Sequence, residues 1–143
     1  MTDLGVLSVN VENEGGRNAG EGSPKVVDND LGSKYLTNPY RDTMWIELNL
    51  LASQAIDAYE LTSGNDAVSR DPKNWTLRGS KDRITWVDVD TRVDQVFTDR
   101  KKTNRYEFTN TELYKYYRLY ITKHNGDQRF QLAEFRIFGK PQS

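Results

Sequence analysis

The sequence predicts an all-β fold, an antiparallel β-sandwich, as a single domain over residues 1–143. Three observations carry that reading. Runs with apolar residues at every second position recur along the chain, as in VLSVNV (6–11) and TMWIELNL (43–50). This is the period of a strand with one face buried. Clusters of Gly, Asn, Asp, Ser and Pro punctuate the runs as turn formers do. Nowhere does a helical period persist; Thr109–Tyr114 permits at most one helical turn. Eight or more short strands separated by turn signals make a sandwich.

Taken in order, Val6–Val11 forms the first strand. Glu12–Ser23 has four glycines and no large apolar side chain, so it is an exposed loop. Lys25–Ser33 is a compact turn carrying Asp28 and Asp30. Thr43–Leu50 puts Met44, Ile46, Leu48 and Leu50 on one face and Trp45 on the other. Ala52-Ser53-Gln54 reads as a turn, after which Ile56–Thr62 runs back antiparallel to that strand. Ser63–Asn74 is a long polar loop ended by Asp71-Pro72, where proline fixes its own φ and pushes Asp71 out of the helical region. Strands follow near 75–79, 84–89, 92–97 and 104–108, with Trp75 and Trp86 in strand phase as core residues. Tyr116–Thr122 buries Tyr117, Leu119 and Ile121. Gln131–Phe138 closes the domain, with Ala133, Phe135 and Ile137 facing in.

Composition narrows the function. Twenty basic residues against twenty-one acidic ones leave a formal charge of −1, without the clustered basic excess of a nucleic-acid binder. No apolar run approaches the roughly 20 residues of a membrane helix. The start Met1-Thr2-Asp3 has neither the charged nor the apolar part of a secretory leader, and the chain is expected to be a domain excised from a larger protein. Zero cysteines exclude disulfides and thiolate metal sites. With a single histidine, they also exclude a cysteine nucleophile and most histidine-rich metal centres.

Topology brings the polar loops together. If 44–50 pairs antiparallel with 56–62, and 116–122 with 132–138, then the loops Lys34–Asp42, Ser63–Asn74 and Lys123–Phe130 share one end. They carry Tyr35, Tyr40, Asn65, Asp66, Arg70, His124, Asn125, Asp127 and Arg129. Sugar hydroxyls need such planar donors and acceptors, beside an aromatic ring that covers the apolar face of the pyranose. Each residue also has a plain structural reading. Asn65 and Asp66 suit an Asx-turn after Gly64, Arg70 suits a pair with Asp71, and Asn125-Gly126-Asp127 is a turn signal. Asn74-Trp75-Thr76 matches a glycosylation sequon but enters a strand. Phe130 is the one apolar spike in these loops, which disfavours membrane insertion.

The stretch SGNDAVSRDPKNWTLRGS (63–80), Thr85-Trp86, YKYYRLYIT (114–122) and HNGDQRFQLAEFRIFG (124–139) resembles the coagulation factor 5/8 type C, or discoidin-like, domains. The specific marks are W-x-L-x-G-S, a tryptophan six residues after that serine, and Q-L-A-E-F. The similarity looks closest to the bacterial branch beside glycoside hydrolases, the family 32 carbohydrate-binding modules and chitobiase-associated domains. It implies a jelly-roll topology, no catalytic activity and a structural Ca²⁺. It further implies that carbonyls of Lys25, Asp30 and Ala133, carboxylates of Asp28 and Glu134, and oxygens of Ser33 hold the ion. Ca²⁺ takes about six to eight such hard oxygens. Ser33 stands where threonine is common and Leu31-Gly32 replaces a more polar turn, yet the oxygen types are kept. The resemblance also implies a galactoside- or amino-sugar-containing glycan as ligand, for which the converging loops offer Tyr35, Asn65, Asp66, Arg70, His124, Asn125 and Asp127. A glycoside hydrolase, possibly chitobiase-like, or an adhesin is implied in the parent chain, with a secreted, periplasmic or cell-surface location. The fold leaves open a protein-binding adhesion module or a spacer without ligand.

Overall fold

Every second side chain is buried over Met44–Leu50 and over Tyr117–Ile121, as the alternation dictates. The computed structural model describes residues 4–27, 33–37, 44–66 and 68–139. Among these residues the strands are β1 (Leu4–Val9), β2 (Tyr35–Thr37), β3 (Met44–Gln54), β4 (Ile56–Thr62), β5 (Pro72–Ser80), β6 (Val87–Arg92), β7 (Thr103–Glu107), β8 (Tyr114–His124), β9 (Phe130–Leu132) and β10 (Glu134–Gly139). Short 3-10 turns cover Ser23–Val27 and Val68–Arg70. A five-stranded sheet in the order β1-β3-β8-β5-β6 faces a three-stranded sheet β10-β4-β7, and β2 pairs with β9 in a small third ladder. All pairings are antiparallel. The result is the expected jelly-roll sandwich.

Met44, Ile46, Leu48 and Leu50 on β3, Tyr117, Leu119 and Ile121 on β8, and Trp75 and Leu77 on β5 line one wall of the core. Tyr59, Leu61, Tyr106, Phe135 and Ile137 line the other. Each such side chain contributes about 1.5–3 kcal/mol by leaving water. The polar atoms of the aromatics tie the sheets together. Trp75 Nε1 donates to the Tyr59 hydroxyl at 2.8 Å, and that hydroxyl donates to Asp90 at 2.6 Å. Burial pushes the Tyr59 phenol far up, so it stays a neutral donor.

Several expectations are corrected. Ala52-Ser53-Gln54 is not a turn: β3 runs through Gln54, and the chain crosses between sheets at Ala55. Tyr117 holds that crossing, donating its hydroxyl to the Gln54 carbonyl at 2.7 Å and accepting from the Ile56 amide at 3.1 Å. Consequently β3 and β4 lie in opposite sheets rather than pairing, as do β8 and β10. The strand expected at 92–97 is absent, since 93–97 belongs to the loop between β6 and β7, and the strand expected at 84–89 begins at Val87 and runs to Arg92. Thr109–Tyr114 has no helical turn. The closing strand is broken at Ala133, whose amide donates to the Thr62 carbonyl at 2.8 Å. Trp75 is core, but Trp86 stays half-buried outside the five-stranded sheet, against Arg118. Phe130 is fully buried and is no spike.

Candidate ligand site at the loop end of the sandwich

The loops 63–71, 93–102 and 125–129 leave the strands at the same end, where the segment before β2 also arrives. Pro72, which cannot donate to a ladder, sits at the irregular first positions of β5. Val68–Arg70 then folds as a 3-10 turn, which places Ser69 and Arg70 against the 125–129 loop. The Asp127 amide donates to the Ser69 carbonyl at 3.1 Å, and the Asn125 amide to the Asp71 carbonyl at 3.1 Å. Asn125 Nδ2 donates to the Val68 carbonyl at 3.0 Å. The His124 ring contacts the Asp127 carbonyl. Two loops far apart in sequence are thereby laced into one surface.

Lys34 stands at its centre. Only 9% exposed, it donates from Nζ to Asn65 Oδ1 at 3.0 Å and to Asp66 Oδ1 at 2.7 Å, with Glu21 at 3.6 Å. The Lys34 hydrogen bond holds the Asp66 carboxyl below the usual carboxylate range. Arg70 lies between two carboxylates, 3.8 Å from Asp66 and 3.7 Å from Asp127. Its Nε is buried yet makes no hydrogen bond. Asp127 accepts from the Arg129 amide at 2.8 Å and from the Ser69 hydroxyl at 2.9 Å, and these hold its carboxyl down at about 2. Glu21, Lys34, Asn65 and Asp66 line a cavity of about 420 Å³, together with Gly20 and Ser33.

The floor is fixed from below. Arg100, from the loop after β6, makes a bidentate pair with the fully buried Asp71 at 3.0 and 2.7 Å. It also donates to the Asp66 carbonyl at 3.2 Å. Burial still pushes the Asp71 carboxyl up. Asp71 therefore pairs with Arg100, not with Arg70 as its sequence neighbour suggested. Buried Gln131 donates to the Asp66 carbonyl as well. A Cβ on Gly64 would stand 2.5 Å from that amide, so the loop needs glycine there.

Of the expected ligand residues, Asn65, Asp66, Arg70, His124, Asn125 and Asp127 are brought together. Tyr35 is not. Its ring is buried in the core edge-on to Phe130, its hydroxyl donates to the Val11 carbonyl, and it has no face to offer a sugar. Tyr40 lies outside the described residues. Sequence reasoning missed Lys34, Glu21, Arg100 and Gln131 as parts of this end. Arg100 gave no usable signal, because its approach was read as a strand.

The expected Ca²⁺ ligands divide in two. Asp28 and Asp30 lie outside the described residues. Ala133 and Glu134 are fully buried at the start of β10, on which the 3-10 turn bearing Lys25 packs, and Ser33 adjoins the cavity. Arg136 Nε approaches the Glu134 carboxylate at 3.3 Å. Among the described residues no three acidic, histidine or cysteine side chains cluster as a metal group.

The two facing antiparallel sheets and their strand order define a galactose-binding-like β-sandwich. Residues 8–135 match the F5/8 type C domain model, and the chain belongs to that family. The CBM32-5 module of GH89 from Clostridium perfringens, solved with GalNAc-β-1,3-galactose, superposes with a TM-score of 0.77 at 17% identity over 94% of each chain. Chitosan-binding module 1 of a chitosanase/glucanase from Paenibacillus sp. IK-5 gives 0.74 at 20% identity over 96% of each chain. The C-terminal domain of a chitobiase from Bacteroides fragilis gives 0.77 at 16% identity over 97% of this chain and 95% of that one. At these identities the likeness is one of fold. A peptide-N(4)-(N-acetyl-β-glucosaminyl)asparagine amidase of Arabidopsis thaliana is 36% identical over 101 residues, 66% of this chain. The chain spans 14% of the length of that protein. Among the described residues no helix is long and apolar enough to cross a membrane.

Proposed function

We propose that the chain is a non-catalytic carbohydrate-binding module that holds a galactoside- or amino-sugar-containing glycan at the loop end of the sandwich. One observation carries this: Lys34, Asn65 and Asp66 line a cavity of about 420 Å³ with their geometry fixed by the protein, and Arg70 and Asp127 stand beside Asp66 in the same network of charges. That volume falls within the range of small-ligand sites, roughly 300–1,000 Å³. Arg70 Nε is buried and stands 3.7 Å from Asp127, which holds the guanidinium beside Asp66, and the exposed oxygens of Asp66 accept from a hydroxyl or an ammonium. The GalNAc-β-1,3-galactose complex and the chitosan-binding module among the fold relatives support this ligand class. In the parent chain the module keeps an attached catalytic domain, a glycoside hydrolase or another glycan-processing enzyme, near its substrate by linking two binding events. The amidase relative supports an amino-sugar context. Secretion, the periplasm or the cell surface is the location that suits such a module.

A structural Ca²⁺ completes the proposal. The full burial of Glu134 beside the Ser23–Val27 turn supports it, since a buried carboxylate amid backbone carbonyls is the oxygen chemistry that this ion takes. Lys25, Asp28, Asp30, Ser33, Ala133 and Glu134 would hold it, and it would clip the N-terminal segment to β10.

A glycan array followed by calorimetry tests the ligand reading. Asp66→Asn combined with Arg70→Gln is expected to weaken the best glycan at least about tenfold, the loss of a single charge-assisted hydrogen bond. Affinity unchanged in that variant, or no glycan bound at all, would overturn it.

A further inference from the structure

The face of the five-stranded sheet that points away from the core carries a group of side chains that the loop end does not use. Ladder register sets its outward residues in two rows, Trp45, Tyr120 and Thr76 in one and Glu47, Arg118, Arg78 and Asp88 in the next. Neighbouring strands stand about 4.8 Å apart, so these side chains touch across the sheet. The Arg118 guanidinium lies 3.9 Å from the ring centre of Trp45 and 4.2 Å from that of Trp86. Its Nε donates to Glu47 at 2.7 Å and an Nη donates to the Tyr120 hydroxyl at 3.0 Å. Arg78 lies 4.5 Å over the Tyr120 ring and gives its Nε to Asp88 at 2.6 Å.

A third arginine arrives from the turn between β5 and β6. Arg83 places its Nε 3.0 Å from Glu47. The turn itself is locked: the Ser80 hydroxyl accepts from the Arg83 amide at 2.8 Å, and Asp82 accepts from the amides of Ile84 and Thr85, each at 2.9 Å. Arg83 has a φ of 64°, which this capping holds in place.

Covering Glu47 does not account for this arrangement. One well-placed arginine neutralises a buried carboxylate, and Glu47 has two. Arg78 serves neither Glu47 nor the core. Each guanidinium spends its Nε on the protein, while the terminal amino groups of Arg78 and Arg83 hydrogen-bond to no described residue. Their side chains are 38% and 47% exposed. A fork held by its Nε edge, with its two amino groups turned outward, is preorganised for bidentate capture of a carboxylate. Trp45, Trp86 and Tyr120 are half-buried beside these forks and leave ring surface for the apolar face of a sugar. Asn49, two residues beyond Glu47 on β3, has an Oδ1 without a partner.

We propose that this sheet face is a second saccharide site, separate from the loop end, which takes a uronate-containing polysaccharide strand. Its carboxylates sit on the Arg78 and Arg83 forks and its rings lie along Trp45, Trp86 and Tyr120. Charge favours this occupant over a neutral chain. Three arginines face two carboxylates, and one of the two, Glu47, is hidden beneath them.

Tetragalacturonate and neutral galactotetraose, titrated calorimetrically and by tryptophan fluorescence, test the proposal. Tetragalacturonate is expected to bind, to change the emission of the half-buried Trp45 and Trp86 and to weaken as salt is raised. Arg78→Gln with Arg83→Gln is expected to cut that affinity at least about tenfold, with the thermal midpoint nearly unchanged. Arg118 is left intact because Glu47 depends on it. Asp66→Asn with Arg70→Gln, at the other site, is expected to leave tetragalacturonate binding as it was. The proposal is overturned if tetragalacturonate does not bind, if galactotetraose binds equally well, if the double glutamine variant keeps full affinity, or if the loop variant loses it.

Discussion

Asp127 and Asp71 lie on the same two laced loops and respond to them in opposite directions. The Arg129 amide and the Ser69 hydroxyl hold the Asp127 carboxyl at about 2, below the unfolded value of about 3.9. A depressed folded value gives stability that is complete above the unfolded one and is lost as pH falls through the folded one. Acid titration should therefore loosen the 125–129 loop between about pH 4 and pH 2, and Asp127→Ala should remove that dependence at a cost of about 1–2 kcal/mol. Amide exchange at Asp127 and Arg129 across that range checks it. Asp71, fully buried, keeps its charge through Arg100 alone among the described ion pairs. Arg100→Ala strands that carboxylate and should cost about 3–5 kcal/mol in urea unfolding, far more than an exposed pair. Asn65, Asp66 and Arg70 were legible because polar planar side chains in a loop between strands have few other uses. Arg100 and Lys34 were not, because their roles depend on partners some 30 positions away in sequence.

At the scale of the element, alternation revealed β3, β4, β5 and β8 because each carries apolar side chains at successive alternate positions, as Tyr59 and Leu61 do on β4 and Trp75 and Leu77 on β5. It failed at 92–97, where Val93 and Phe97 share a phase, yet Val93 is 56% exposed and Phe97 is buried from a loop. Period two records that one face differs from the other, not that a ladder partner exists. Trp86 misled for a related reason: it shares a period-two phase with Ile84, but the Ser80–Thr85 turn holds that stretch out of the ladder, which starts only at Val87. Two changes probe the sheet directly. A Cβ at Gly79 would stand 2.5 Å from the Tyr114 ring, which is packed edge-on against Tyr117 and cannot swing away. Gly79→Ala should cost about 1–3 kcal/mol by overpacking, read as a shift in the urea midpoint at constant slope. Arg118→Ala should cost about 3 kcal/mol, because it leaves Glu47, only 2% exposed, to Arg83 and opens the Trp45–Trp86 stack.

For the whole molecule the question is what joins its first 30 residues to its last strand. The 3-10 turn at Ser23–Val27 packs on β10, and the Ser23 hydroxyl donates to Glu12 at 2.6 Å, so the long segment after β1 is folded back on itself. Yet the buried face it covers contains Glu134, a carboxylate with no business in an apolar wall unless something positive shares it. Arg136 at 3.3 Å is one such group, and the proposed Ca²⁺ would be a further one. The two make different demands. If the ion is the partner, protein stripped with EDTA should melt lower, and calcium at a hundredfold excess over its dissociation constant should restore about 2.7 kcal/mol. Glu134→Gln should abolish that response while leaving Arg136 a neutral acceptor. If Arg136 is sufficient, calcium leaves the melt unmoved, and Arg136→Ala becomes the costly substitution, because it strands the buried charge. The ligand site stands at the same end as this junction, with Ser33 on its wall and Asp66 opposite. A metal-dependent melt should therefore bring with it a metal-dependent glycan affinity, since loosening the segment before β2 withdraws Lys34 from Asn65 and Asp66.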